Sequence, residues 1–245
     1  MNLNLPPGFL LVAVVLVAAG FLLPRLRRPA RSDTPLDGRL SAQAEEHGWE
    51  FRGEHEPRRH RTEHRGERDG VGWRLESVWT RGRHRETTFT RWSTDAAALP
   101  GRVVLIWPDR PAGESSGAAD FLQRRLLMAA MQPLFTALGA GPEERELILA
   151  AAPVTGSDPY LLATDPADAQ LLEGGAAAAI REHVAWSAAR PAGSGAKLVC
   201  ALIGPRGVTL VSSGIATEAE VVQRLEALGV SITAAADRRR SAPPS

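Results

Sequence analysis

The chain has 245 residues, a net charge of +1, 44% hydrophobic and 23% charged residues, and one cysteine. That length allows one or two ordinary domains, and the composition excludes a chain disordered throughout, a collagen-like fibre and a disulfide scaffold. The near-zero charge averages unlike regions: residues 24–95 hold 16 arginines, 13 acids and five of the six histidines, residues 96–237 hold ten basic residues against 15 acids, and Arg238-Arg239-Arg240 follows.

Residues 2–24 carry no charged side chain, and Gly8 to Leu23 are apolar throughout. A bilayer core needs about 20 helical residues. Residues 3–23 supply that length, and Pro6 and Pro7 fit a first helical turn. Residues 1–24 are therefore predicted to be a transmembrane anchor, with the lipid bilayer as partner. Arg25, Arg27, Arg28 and Arg31 follow in a basic juxtamembrane linker over 25–33. The positive-inside rule places the amino terminus outside and the carboxyl-terminal domain in the cytoplasm. These arginines can also meet anionic headgroups. A cleaved signal peptide with an exported domain is the alternative, but the basic residues lie on the wrong side of the apolar run. Arginine outnumbers lysine 28 to 1, which we read as the bias of GC-rich bacterial coding, so the predicted site is a bacterial cytoplasmic membrane.

Thr34-Pro35-Leu36-Asp37 has the form of a helix start, and Gly48 of a helix end. Trp49 and Phe51 open an extended region. Trp73, Leu75, Ser77 and Trp79 alternate with Arg74, Glu76, Val78 and Thr80, a period of two that predicts a half-buried strand. Arg81-Gly82-Arg83 can turn it into a strand through Phe89, and Val103 to Trp107 reads as a buried strand. A helix is expected over 118–138, broken or kinked at Pro133, and a short one from Glu143 to Ala150. Tyr160 to Ala163 is a further strand. Asp165-Pro166 opens a helix that breaks at Gly174-Gly175 and resumes to Trp186. Gly204-Pro205-Arg206-Gly207 joins two apolar runs as a hairpin. Thr217 and Glu220 form a capping box for a last helix, with Gly229 as its stop and a disordered tail over 237–245. The predicted class is α+β: one transmembrane helix, then an antiparallel sheet with helices. Its two halves cover 34–140, Arg/His-rich strands and a helix, and 141–236, an Ala-rich half with a hairpin and a helix.

The anchor, the His47-Gly48-Trp49 helix end, and the stretch from Tyr160-Leu161-Leu162-Ala163 through the hairpin to the capped helix carry a resemblance. In layout the chain resembles uncharacterised bacterial single-pass membrane proteins with a cytoplasmic α+β domain. That resemblance implies the membrane location and the fold class, and no activity.

Four constellations bear on chemistry. Gly113-Glu114-Ser115-Ser116-Gly117 matches G-x-S-x-G, with Asp165 and His183 later in hydrolase order. Ser115, however, lies too far beyond the strand for a nucleophile elbow, so the plain reading is a flexible loop. His55, His60 and His64 can bind zinc, but Arg58, Arg59, Arg61 and Arg65 crowd the same stretch. The basic region from Arg52 to Arg91 contains tryptophans, as nucleic-acid binders do, yet its glutamates cancel most of the charge. Ala192 to Lys197 lacks phosphate-loop spacing. No catalytic, metal or cofactor residue is nominated. The expected function is a membrane-anchored module binding a protein or the membrane surface through Arg58, Arg59, His60, Arg61 and His64. A tethered serine hydrolase using Ser115 is the alternative.

Overall fold

The computed structural model describes residues 33–82, 86–108, 131–172, 175–191 and 193–241. Within them, nine strands form one antiparallel sheet in the order β1-β2-β3-β4-β9-β8-β5-β7-β6. The strands are β1 (Glu50–Glu56), β2 (Arg59–Arg68), β3 (Val71–Arg81), β4 (Glu86–Thr94), β5 (Val104–Trp107), β6 (Ala152–Pro153), β7 (Tyr160–Ala163), β8 (Ser194–Gly204) and β9 (Gly207–Gly214). The helices are α1 (Asp33–Glu46), α2 (Pro142–Ala150), α3 (Ala176–Ala188) and α4 (Ala219–Ser241), with a 3₁₀ turn over Pro166–Leu172 and a helical stretch over 131–138. The fold is α+β with a large antiparallel sheet, and β3, expected to be half-buried, is buried on both faces from Leu75 to Val78.

Both faces of the sheet are covered. On one, Trp73, Leu75, Trp92, Val104, Ile106, Val208 and Leu210 meet Ile180 of α3 and Val221, Val222, Leu225, Leu228 and Ile232 of α4. On the other, Val78, Phe89, Val103, Leu105, Cys200, Leu202 and Val211 meet Leu134, Phe135, Leu138 and Ile148. Side chains alternate along each strand, so one apolar run such as Val103–Ile106 can serve both layers. The sheet edges are blunt: β1 is mostly charged, and β6 is two residues long and ends in Pro153.

The division expected at residue 140 has no counterpart in the sheet. β4 lies beside β9, and β5 lies between β8 and β7, so strands from before and after that point interleave. Three other expectations change. The β8–β9 loop is two residues long, because Gly204 and Gly207 pair with each other. Glu220 accepts from Trp186 Nε1 at 3.0 Å and pairs with Arg190, so its carboxylate is taken by α3 and the turn after it and not by a capping box. Finally, α4 passes through Gly229 and includes residues 237–241. Gly229 is not a stop: its backbone lies against Trp92, where a Cβ would overlap the indole ring. Ile232, Ala235 and Ala236 continue the buried face beyond it.

No helix among the described residues is long and apolar enough to cross a membrane. The apolar segment over 3–23 and Arg25, Arg27, Arg28 and Arg31 lie outside the described residues, as do residues 242–245 and most of the helix expected over 118–138.

The contact at Gly229 predicts an inverted mutation. Glycine to alanine inside a helix ordinarily stabilises by roughly 0.5–1 kcal/mol. Here Gly229→Ala should cost about 1–3 kcal/mol through overpacking, measured by urea unfolding. A gain in stability would contradict the packing of α4 on Trp92.

Candidate functional site

The N-terminal ribbon, β1 to β4, is rich in charged and aromatic residues whose side chains alternate between its two faces. Gly48 ends α1 with φ of 69°, and Trp49 N bonds Ala44 O at 2.8 Å. This left-handed turn sends the chain directly into β1. β1 and β2 are joined through Pro57-Arg58, and β2 and β3 through Asp69-Gly70, whose φ values of 54° and 76° define a tight two-residue hairpin turn. The registers that follow set Gly53 opposite Thr62, His55 opposite His60 and His64 opposite both Phe51 and Leu75.

One face of the ribbon carries His55, His60, Thr62, His64, Trp73, Leu75 and Ser77, beneath α1. Asp37, one turn into α1, reaches down to this face. Its Oδ2 pairs with His55 Nε2, and its Oδ1 stands 3.5 Å from His60 Nε2. The two imidazole centroids are 4.1 Å apart. A carboxylate oxygen and one nitrogen from each imidazole lie within 4.8 Å of one another. Gly53 makes the approach possible, since a Cβ on it would sit 2.7 Å from Asp37 Oδ2. The group is neither sealed nor fully open: His60 is 17%, Asp37 25% and His55 41% exposed at the side chain. Such a set can exchange a proton among its members or hold a cation.

His64 belongs to the same face but not to the group. It is buried, with its ring 5.2 Å from that of Phe51 and edge-on to Trp49. Burial pushes its pKa down to about 4, so the ring is neutral at physiological pH.

The opposite face is an ion-pair layer. Arg61 Nε lies 2.6 Å from Glu76 Oε1, and its other nitrogens lie 3.3 Å from Glu63 and 3.5 Å from Glu54. Arg74 donates to Glu63 at 2.6 Å, Arg65 donates to it at 2.5 Å, and Arg91 pairs with Glu76. Burial raises the pKa of Glu63, but its hydrogen bond from Arg65 and the charges of Arg74, Arg65 and Arg61 outweigh this and hold it below the ordinary carboxylate value. Glu63 and Glu76, both buried, are thereby compensated.

The five residues expected to form one contact surface are therefore separated. Arg58 and Arg59 are exposed at the ribbon tip. Arg61 is bound in the ion-pair layer, His60 faces Asp37, and His64 is inside. In the zinc grouping of His55, His60 and His64, Asp37 takes the place of His64. Of the four arginines that crowd this stretch in sequence, Arg59, Arg61 and Arg65 point to the opposite face and Arg58 is exposed in the loop. Asp37 had no signal beyond its place in the first turn of a helix; only the fold brings it to His55.

Ser115 lies outside the described residues. Asp165 Oδ1 accepts from Ala167 N at 2.9 Å, and His183, buried, donates from Nε2 to Ala196 O at 2.8 Å. Asp165 also stands 3.8 Å from Arg102, and His183 ties α3 to β8. Cys200 is fully buried, and burial pushes its thiol up to about 12, which makes it inert.

No protein-family model matches the chain, and neither the curated proteins nor the solved structures contain a match to it.

His64 yields a pH prediction. Its folded pKa is lowered below that of an unfolded histidine, so the unfolded chain binds more protons between about pH 6.5 and 4. The stability linked to His64 is complete above that window and is lost as pH falls through it, by up to roughly 3 kcal/mol. Urea unfolding of wild type should therefore lose this much more stability between pH 7 and pH 4 than His64→Leu, which cannot titrate. Parallel profiles would contradict the burial of His64.

Proposed function

We propose that the protein is a membrane-anchored binding module whose ribbon tip, Arg58 and Arg59, engages an anionic lipid surface. Residues 3–23 would hold it in a bacterial cytoplasmic membrane, with the described domain on the cytoplasmic side. The observation that carries this reading is the contact between Asp37 and His55. Asp37 lies four residues beyond the linker over 25–33, and His55 lies two residues before the Pro57-Arg58 loop. The end of α1 that joins the basic linker therefore lies at the ribbon tip.

An anchor over 3–23 would keep that tip near the bilayer, and headgroup charge acts on Lys and Arg at about 1 kcal/mol each within a Debye length of about 8–10 Å. Arg58 and Arg59 suit the role because both are exposed and neither belongs to the ion-pair layer. Arg61 does not suit it, since its guanidinium is already held by Glu54, Glu63 and Glu76. The tethered-hydrolase alternative gains no support from Asp165 or His183, which are engaged elsewhere.

The test is hydrogen exchange of the full chain in nanodiscs. Amides over 56–60 should be slower in discs with anionic lipid than in zwitterionic discs, and Arg58→Gln with Arg59→Gln should abolish the difference. Equal exchange in both lipids would overturn the reading.

A further inference from the structure

We propose that Asp37, His55 and His60 form a binding site for one divalent transition-metal ion, with zinc the ion that the donor set suits best. The site shares the Asp37–His55 contact with the membrane reading but needs neither lipid nor anchor.

Three observations converge on it. The first is the donor set. Two imidazole nitrogens and one carboxylate oxygen are ligands for borderline metals such as zinc, and not for calcium or magnesium, which take oxygen cages. The second is proximity. The three donor atoms already lie within 4.8 Å of one another, and the Asp37 Oδ1 to His60 Nε2 distance is 3.5 Å. Donors on one tetrahedral zinc stand about 3.3 Å apart, given zinc–ligand bonds of about 2.0–2.1 Å. His55 Nε2 already pairs with Asp37 Oδ2, and an ion would take the place of that contact.

The third observation is local preparation of the backbone. His55 and His60 are direct cross-strand partners next to a tight loop, so their spacing is fixed by the register. Gly53, two residues before His55 on the same face, leaves the gap that the Asp37 carboxylate fills. A larger residue would push the carboxylate off the histidines.

Charge also permits the site. Arg59 and Arg61 alternate with His60 and lie on the far face, where Arg61 is neutralised by three glutamates. Asp37 brings a negative charge to the metal, which offsets part of the dication. Three protein ligands leave a tetrahedral ion one position for water, and the partial exposure of His55 gives that water a path.

The test uses the untagged full chain in detergent micelles. Zinc is titrated calorimetrically, and cobalt(II) is followed by its visible absorption as a report on nitrogen and oxygen ligation. Wild type should bind one ion per chain saturably. Even second-shell changes cost ~10–100-fold in metal affinity, so His55→Ala, His60→Ala and Asp37→Asn should each weaken binding at least tenfold. Gly53→Val should weaken it without removing a ligand. His47→Gln, at the helix end away from the group, should bind as wild type does. Circular dichroism of each variant separates loss of a ligand from loss of the fold, and His55→Ala, at the most exposed ligand, carries the least risk of unfolding. No saturable binding by wild type, or undiminished binding by folded His55→Ala, would overturn the proposal. Either result leaves the lipid reading standing, since that reading needs the Asp37–His55 contact and the exposed Arg58 and Arg59 but no bound ion.

Discussion

Pairing of His55 with His60 determines where each charged side chain of the ribbon goes. Strand side chains alternate, so that one pairing assigns His60, Thr62 and His64 to the face beneath α1, and Arg61, Glu63 and Arg65 to the other. A slip by one residue would reverse every assignment. It would bury arginine beneath α1, against Trp73 and Leu75, and turn histidine toward Glu76. The two-residue loop at Pro57-Arg58 sets the β1–β2 register, and the tight turn at Asp69-Gly70 with the pairs Arg61–Glu76 and Arg74–Glu63 holds β2 against β3. The ribbon is thus specified by polar pairing where an ordinary sheet would use apolar packing.

That choice has an energetic consequence. Buried carboxylates are costly unless paired and hydrogen-bonded. Glu63 receives three arginines, and Glu76 receives Arg61 and Arg91. Arg91 also donates to Ala137 O at 3.4 Å, which ties the ion-pair layer to the helical stretch over 131–138. On the same face the apolar core begins beside the ion pairs, at Val78, Phe89 and Val211, and continues through β8 and β5. The arginine-rich half therefore folds by leaning on the apolar half through β4 and β9, which explains why no boundary falls at residue 140.

Much of this was readable from local pattern. The alternation from Trp73 to Trp79 marked β3, and Gly204 to Gly207 marked the β8–β9 hairpin. Gly48 marked the end of α1. The Asp69-Gly70 turn carried a hairpin signal that the surrounding charge obscured. Elsewhere the deciding contact was distant in sequence. Gly229 reads as a helix stop until Trp92 is seen against it. Asp37 reads as a capping-turn acid until the fold lays it over His55 and His60. Arg58, Arg59 and Arg61 are indistinguishable in sequence, yet a two-residue loop and one strand step separate an exposed pair from a bound partner of Glu76.

Cysteine pairs test the face assignment most directly. His55→Cys with His60→Cys should oxidise to an intramolecular disulfide, because directly opposed cross-strand side chains fall within bridging reach. His55→Cys with Arg61→Cys should not, because the two side chains lie on opposite faces. Native Cys200, buried, should not compete. Formation of the 55–60 bridge alone, read by mass spectrometry, is the result predicted. A 55–61 bridge, or no 55–60 bridge under the same oxidant, would contradict the register on which the Asp37 group, the ion-pair layer and the exposed tip all depend.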